Sequence, residues 1–142
     1  MRRVALAACL LAVPGAAACG GGNDTAGARK AAEGYVRTLG KRDGAGTCAQ
    51  MTKTLQRQFT DAVARAAPQF RGGSCGPVMQ AALNTIPATQ LRQFSQAKIQ
   101  DLKVKDSKGT FRYTLGKINV NGQVAKEGGA WKVSCCVPGA GG

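Results

Sequence analysis

Thr110–Val133 reads TFRYTLGKINVNGQVAKEGGAWKV, and the spacing of its apolar residues decides what kind of domain this chain forms. Phe111, Tyr113 and Leu115 occupy every second position, which places them on one face of a strand. Ile118, Val120 and Val124 follow around an Asn121-Gly122 pair, and Trp131, Val133 and Cys135 share a face after Gly128-Gly129. Upstream, AKIQDLKVKD (97–106) alternates less cleanly but carries Ile99, Leu102 and Val104. The pieces between these runs are DSKG (106–109), the Asn-Gly pair and the Gly-Gly pair. All three are too short for a crossover helix, so neighbouring strands are predicted to run antiparallel through tight turns.

Before Ala97 the period is helical. ARKAAEGYVRTLGKRD (28–43) puts Ala28, Ala31, Ala32, Tyr35, Val36 and Leu39 on one face, and Gly40 ends it. TCAQMTKTLQRQFTDAV (47–63) repeats Cys48, Met51, Leu55, Phe59 and Ala62 at three and four, with Thr47 and Gln50 at capping-box spacing. Pro68 stops that segment. FRGGSCGPVMQAALNTIP (70–87) has a Gly-rich loop, Ser74 as a candidate cap, and then a third helix ended by Pro87. ATQLRQF (88–94) reads as one more short helix. Helices first and a strand meander second give an α+β class: helices packed on one face of a curled antiparallel sheet of about four strands.

The first residues read as an address. Arg2 and Arg3 precede a ten-residue apolar run, Val4 to Val13, and Pro14-Gly15 and three alanines lead to Cys19. This is the charged, apolar and small-residue order of an export signal. The run is too short to span a bilayer, which takes about 20 residues. Ala16 and Ala18 suit plain signal cleavage, whereas Cys19 directly after small residues is the pattern of a lipid-modified N-terminal cysteine. Ala16 stands where leucine is usual. The following GGGNDTAG suits a tether, so residues 1–18 are expected to be a lipoprotein signal and Cys19 the acylated residue. Residues 19–27 would be the tether and 138–142 a disordered tail. The protein is thus expected on the outer face of the cell membrane, with plain secretion as the alternative.

The whole chain has 20 basic and 7 acidic residues, a net charge of +13. Without Arg2 and Arg3 the balance is 18 against 7, or +11. The basic residues are scattered, with no long run and no aromatic-basic pattern of the kind that stacks bases, so nucleic acid is not an expected partner. A basic surface resting near anionic lipid or cell wall is expected instead.

Taken together, AAEGYVRTLGKRDGAGTCAQM (31–51) and VAKEGGAWKV (124–133), with helices before a meander, resemble small bacterial lipoproteins of actinobacterial type. These carry a nuclear transport factor 2-like, or cystatin-like cone, domain of the SnoaL-like kind. The resemblance covers most of 28–137. It implies a conical sheet wrapped around the first helix, with a cavity at its wide end. Such domains include isomerases, dehydratases and hydrolases as well as domains without chemistry, so fold alone does not name a function.

Six cysteines are present. With Cys9 in the leader and Cys19 assigned to lipid, Cys48, Cys75, Cys135 and Cys136 remain, and four cysteines allow three pairings. An exported compartment favours disulfides. The preferred bond is Cys48–Cys75, each at the start of a proposed helix, with two buried thiols as the alternative. Cys135 and Cys136 are neighbours on a strand and point to opposite faces. They are read as either a vicinal disulfide or free thiols.

The chain has no histidine, which removes the commonest general base and the serine–histidine and cysteine–histidine nucleophile systems. There is no Cys-x-x-Cys pair either, so neither a metal nor a cofactor is expected. Gly-rich RGGSCG (71–76) lacks the Lys-Ser/Thr ending of a phosphate loop and reads as a loop closed by a disulfide. The expected function is a non-enzymatic binding or accessory module. Its ligand, a small apolar molecule, would sit in a cavity lined by Tyr35, Phe111, Tyr113 and Trp131. Two alternatives stand beside this. One is a cone-fold enzyme for which the resemblance offers Tyr35, Tyr113 and Asp101. The other is a module presenting the outer face of its sheet, or its basic surface, to anionic envelope polymers.

Overall fold

The computed structural model describes residues 21–135, with side chains from residue 24 onward. Five helices come first: α1 (Gly21–Gly40), α2 (Gly44–Ala49), α3 (Lys53–Ala66), α4 (Cys75–Asn84) and α5 (Ala88–Gln96), with a 3-10 turn at Pro68–Phe70. Four strands follow: β1 (Ile99–Lys105), β2 (Lys108–Leu115), β3 (Ile118–Glu127) and β4 (Ala130–Cys135). They form one open antiparallel sheet in the order β1-β2-β3-β4. The α+β class read from the two hydrophobic periods is the architecture observed.

Helix α1 lies against β1, β3, β4 and α5. Its expected face is its buried one: Ala28, Ala31, Ala32, Tyr35, Val36 and Leu39 are all nearly inaccessible. Three alanines on that face favour the helix and let the sheet approach closely. The helix begins seven residues earlier than the sequence suggests, so residues 21–27 of the expected tether are its first turns. Tertiary contacts oppose the helix-weakening effect of the glycines, about 1 kcal/mol each. Asp24 in the first turn pairs with Lys126 at 2.6 Å and complements the helix dipole. A Cβ on Gly27 would stand 2.7 Å from Cδ1 of Trp131, so a bare Cα is what lets the indole close on the helix.

The segment read as one helix from Thr47 is two. Thr47 does not cap; Asp43 does, with its carboxylate accepting from Gly46 N at 2.8 Å. Thr47 is instead fully buried, its hydroxyl 2.7 Å from the Asp43 carbonyl. Between α2 and α3 the chain opens to run alongside β4. Thr52 N donates to Val133 O at 2.9 Å and Val133 N to Gln50 O at 2.7 Å, making a parallel bridge at Met51. Thr52 then caps α3 by accepting from Leu55 N. This detour covers the outer edge of β4, which would otherwise offer unpaired backbone groups.

The sheet turns at Asp106-Ser107, Gly116-Lys117 and Gly128-Gly129. Asn121-Gly122, expected at a turn, lies inside β3, paired with Arg112 and Phe111 of β2. The glycine serves the ring rather than a reversal: a Cβ at Gly122 would come within 2.7 Å of Phe111 Cε1. The real reversal uses Gly116, whose φ of +60° favours glycine. Buried positions along β2 are Gly109, Phe111 and Tyr113, and those along β3 and β4 are Gly122, Val124, Trp131 and Val133. These face α1 and close one core with Met51, Leu55, Phe59, Val78, Met79, Leu83, Leu91 and Phe94.

Candidate functional site

Tyr35, Phe111, Tyr113 and Trp131 come together in that core, with 0, 3, 0 and 9 % of their surfaces exposed. Tyr35 is delivered by the middle of α1, and the Phe111 and Tyr113 rings stack on β2 with centroids 6.0 Å apart. The hydroxyls of both tyrosines and the indole N–H of Trp131 are buried without a hydrogen-bond partner among the described residues. Burial pushes both phenols well above their usual range, Tyr35 further because Tyr113 is beside it. They therefore stay protonated at any physiological pH.

The surface clefts are lined mainly by other residues. One of about 450 Å³ lies between α1 and β4, with Lys30, Arg37, Gln50 and the edge of Trp131 on its walls. Another of about 380 Å³ lies between α1, α5 and β1, lined by Arg29, Glu33, Arg37, Ser95 and Lys98. Asp101, the acid considered for catalysis, sits at a bulge in β1 with φ of +50°. Its side chain is 57 % exposed and ion-paired with Arg112. No group of three or more histidine, cysteine or acidic residues is gathered for a metal among the described residues.

Cys48 and Cys75 form the preferred disulfide, with Cα atoms 6.0 Å apart, and join the end of α2 to the start of α4. Ser74 occupies the cap position of α4 without a side-chain hydrogen bond. Cys135, half-buried at the end of β4, is disulfide-bonded, so it is not a free thiol. Cys136 lies outside the described residues, as do the expected leader (1–18), Cys19 and the tail (138–142). No helix among the described residues is long and apolar enough to cross a membrane.

Among the described residues, no helix packs on the other face of the sheet. Pleating turns Lys103, Lys105, Lys108, Thr110, Arg112, Asn121 and Gln123 away from the core. Two hollows on this face, of about 790 and 530 Å³, share Lys103, Thr110 and Gln123 and so form one trough. Ser107, Lys105 and Lys108 line one end, and Arg112 with Asn121 the other. Lys105 and Lys108 are direct partners in the register, as are Lys103 and Thr110. The period-two alternation that marks Phe111 and Tyr113 as inward also marks their neighbours as outward, so this face was latent in the same stretch. Which of its residues would share a hollow depends on twist and on the β1 bulge, and those leave no local mark.

The chain matches no family model, no curated protein and no solved structure.

Proposed function

We propose that the chain is an exported, lipid-anchored binding module without catalysis of its own, built as an open variant of the nuclear transport factor 2-like arrangement. The uncovered face of its sheet is the binding surface. The observation that carries this reading is the trough: a concave surface of mixed polar and apolar lining that carries Lys103, Lys105, Lys108 and Arg112 on an antiparallel frame. The core supports the non-catalytic part. Its two tyrosines are locked in the neutral form and closed off by packing, and Asp101 stands on the solvent side, tied to Arg112. A general acid or base needs to reach a substrate proton at about 3 Å, and no described acid shares a pocket with the phenols.

The anchor rests on the sequence pattern at Ala16–Cys19. Intact mass of protein extracted from membranes tests it: a diacylglycerol adduct on an N-terminal Cys19 is expected, and an unmodified mature protein free in the medium overturns it. Retention of the extracted protein on isolated envelope material tests the binding role. Retention that falls as salt rises is expected, and protein that washes off at low salt overturns the role.

A second reading has one observation in its favour. The neighbouring Tyr35 and Tyr113 hydroxyls are buried in the apolar core without a hydrogen-bond partner among the described residues, and a small guest could satisfy them by hydrogen bonding. A guest that raises the melting temperature of the protein but not of Tyr113→Phe supports it.

A further inference from the structure

Resting on the reading of the sheet face as a binding surface, we propose its ligand class: a linear, hydroxyl-rich phosphodiester polymer lying along the trough. Three features of the trough argue for that chemistry.

The first is a charge conflict built into the frame. Lys105 and Lys108 sit directly opposite each other in the closing pair of the β1–β2 hairpin. Like charges opposite each other weaken a sheet. Neither ammonium has an ion-pair or hydrogen-bond partner among the described residues. Asp106 and Asp101 also line the trough, Asp101 paired with Arg112, so four cationic side chains stand there against two acids and a cationic excess remains. A bound anion between the two ammonium groups removes the conflict.

The second is spacing. Lys103 stands two residues behind Lys105 on the same face of β1, a step of about 7 Å. Arg112 lies beyond it, past the bulge and opposite Gln100. With Arg112 already paired to Asp101, the trough cations left unpaired among the described residues are Lys103 and the Lys105–Lys108 pair, set one step apart along the strand direction instead of converging on a point. This arrangement suits a chain with repeating negative charges better than a single small anion.

The third is what stands between the charges. Thr110, Asn121, Gln123 and Ser107 bring hydroxyl and amide groups to the same trough. These both donate and accept, as a hydroxylated repeat unit requires. A flat lipid surface would touch the rims of a concave trough and leave its floor unused.

The test uses the full-length protein extracted in detergent from its own membranes. The probes are poly(glycerol phosphate), a polyuronate of similar length, neutral dextran, and vesicles rich in phosphatidylglycerol. Poly(glycerol phosphate) is expected to bind, to raise the melting temperature and to lose affinity with salt. The triple variant K103Q/K105Q/K108Q should bind about tenfold more weakly while melting no lower than wild type, because the Lys105–Lys108 repulsion is gone. The variant K41Q/R57Q/R65Q removes the same charge from exposed positions in the turn after α1 and on α3 and should bind like wild type. Equal losses in both triples overturn the proposal in favour of net charge. Stronger binding to the vesicles than to the polymer overturns it in favour of a membrane surface, and preference for polyuronate overturns the phosphodiester. If none of these probes binds while envelope retention persists, the ligand class falls and the binding-module reading stands. If envelope retention is also absent, both fall.

Discussion

Gly122 shows how one missing methyl group can hold a sheet together. Its Cα forms the floor under the Phe111 ring, so Gly122→Ala forces either the ring or the strand to move. Overpacking of this kind costs about 1–3 kcal/mol; urea unfolding of the variant should show it as a lower midpoint with an unchanged slope. The two tyrosines make a second prediction. They are the only tyrosines in the chain, and both are buried with raised pKa values. In the unfolded chain a phenol ionises near its ordinary value of 10.0, whereas in the folded protein it does so only at higher pH. Above about pH 10 the unfolded state therefore loses protons that the folded state keeps. Below that pH the tyrosines leave stability independent of pH; above it each removes about 1.4 kcal/mol per pH unit. Phenolate absorbance should stay absent from the native protein and rise only together with unfolding. Stability of Tyr113→Phe should fall less steeply in the same range. Ionisation of either ring before the fold is lost would show that the core is open to water.

At the scale of elements, the Cys48–Cys75 bond joins two short helices that also pack closely on each other, with Gly44 N donating to Gln80 Oε1 at 3.0 Å. α2 has six residues and α4 ten, lengths at which an isolated helix is unstable in water. The loop closed spans about 28 residues and restricts the unfolded chain by roughly 3.6 kcal/mol. Replacing both cysteines with serine should lower stability by about that amount in chemical denaturation, and an effect under about 1 kcal/mol would mean that α2 and α4 are held by packing alone. The pairing is legible in part, from the expectation that each cysteine starts a helix; Cys75 does start α4, but Cys48 stands at the end of α2, so only half of that premise holds. The break between α2 and α3 was less legible. The local mark was weak: Thr52 is a residue type that caps helices and does cap α3, but Met51 continues the apolar stripe of Cys48 and Leu55 and hides the break. The stop is set by Val133, some 80 residues away, whose backbone groups capture Gln50 and Thr52. Asn121-Gly122 failed as a turn signal for the same kind of reason. A local dipeptide preference yielded to the Phe111 ring across the strand pair, and Gly116 took the reversal instead.

At the scale of the molecule, periodicity carried the order of helices before strands and most of the inward face, and the short connections carried the antiparallel pairing, although one of them, Asn121-Gly122, lies inside β3. Periodicity placed Tyr35, Phe111, Tyr113 and Trp131 together, as they are found, but it could not distinguish the lining of a cavity from the filling of a core. That difference depends on how closely α1 approaches the sheet, and alanines and Gly27 allow an approach that shuts the space. The early start of α1 bears on how the domain would sit. Only residue 20 separates Cys19 from the first helical residue, Gly21, and two residue steps reach at most about 7 Å. The lipid proposed above for Cys19 would thus keep the start of the helix within about 7 Å of the modified residue. The same end of the molecule carries Lys126, bonded to Asp24 of α1 through its side chain and to Ser107 at the mouth of the trough through its backbone. The Lys105–Lys108 end of the trough would then open at the bilayer surface. A polymer rooted in that bilayer could enter it from its fixed end, while free chains would have to compete with the anionic lipids around the anchor.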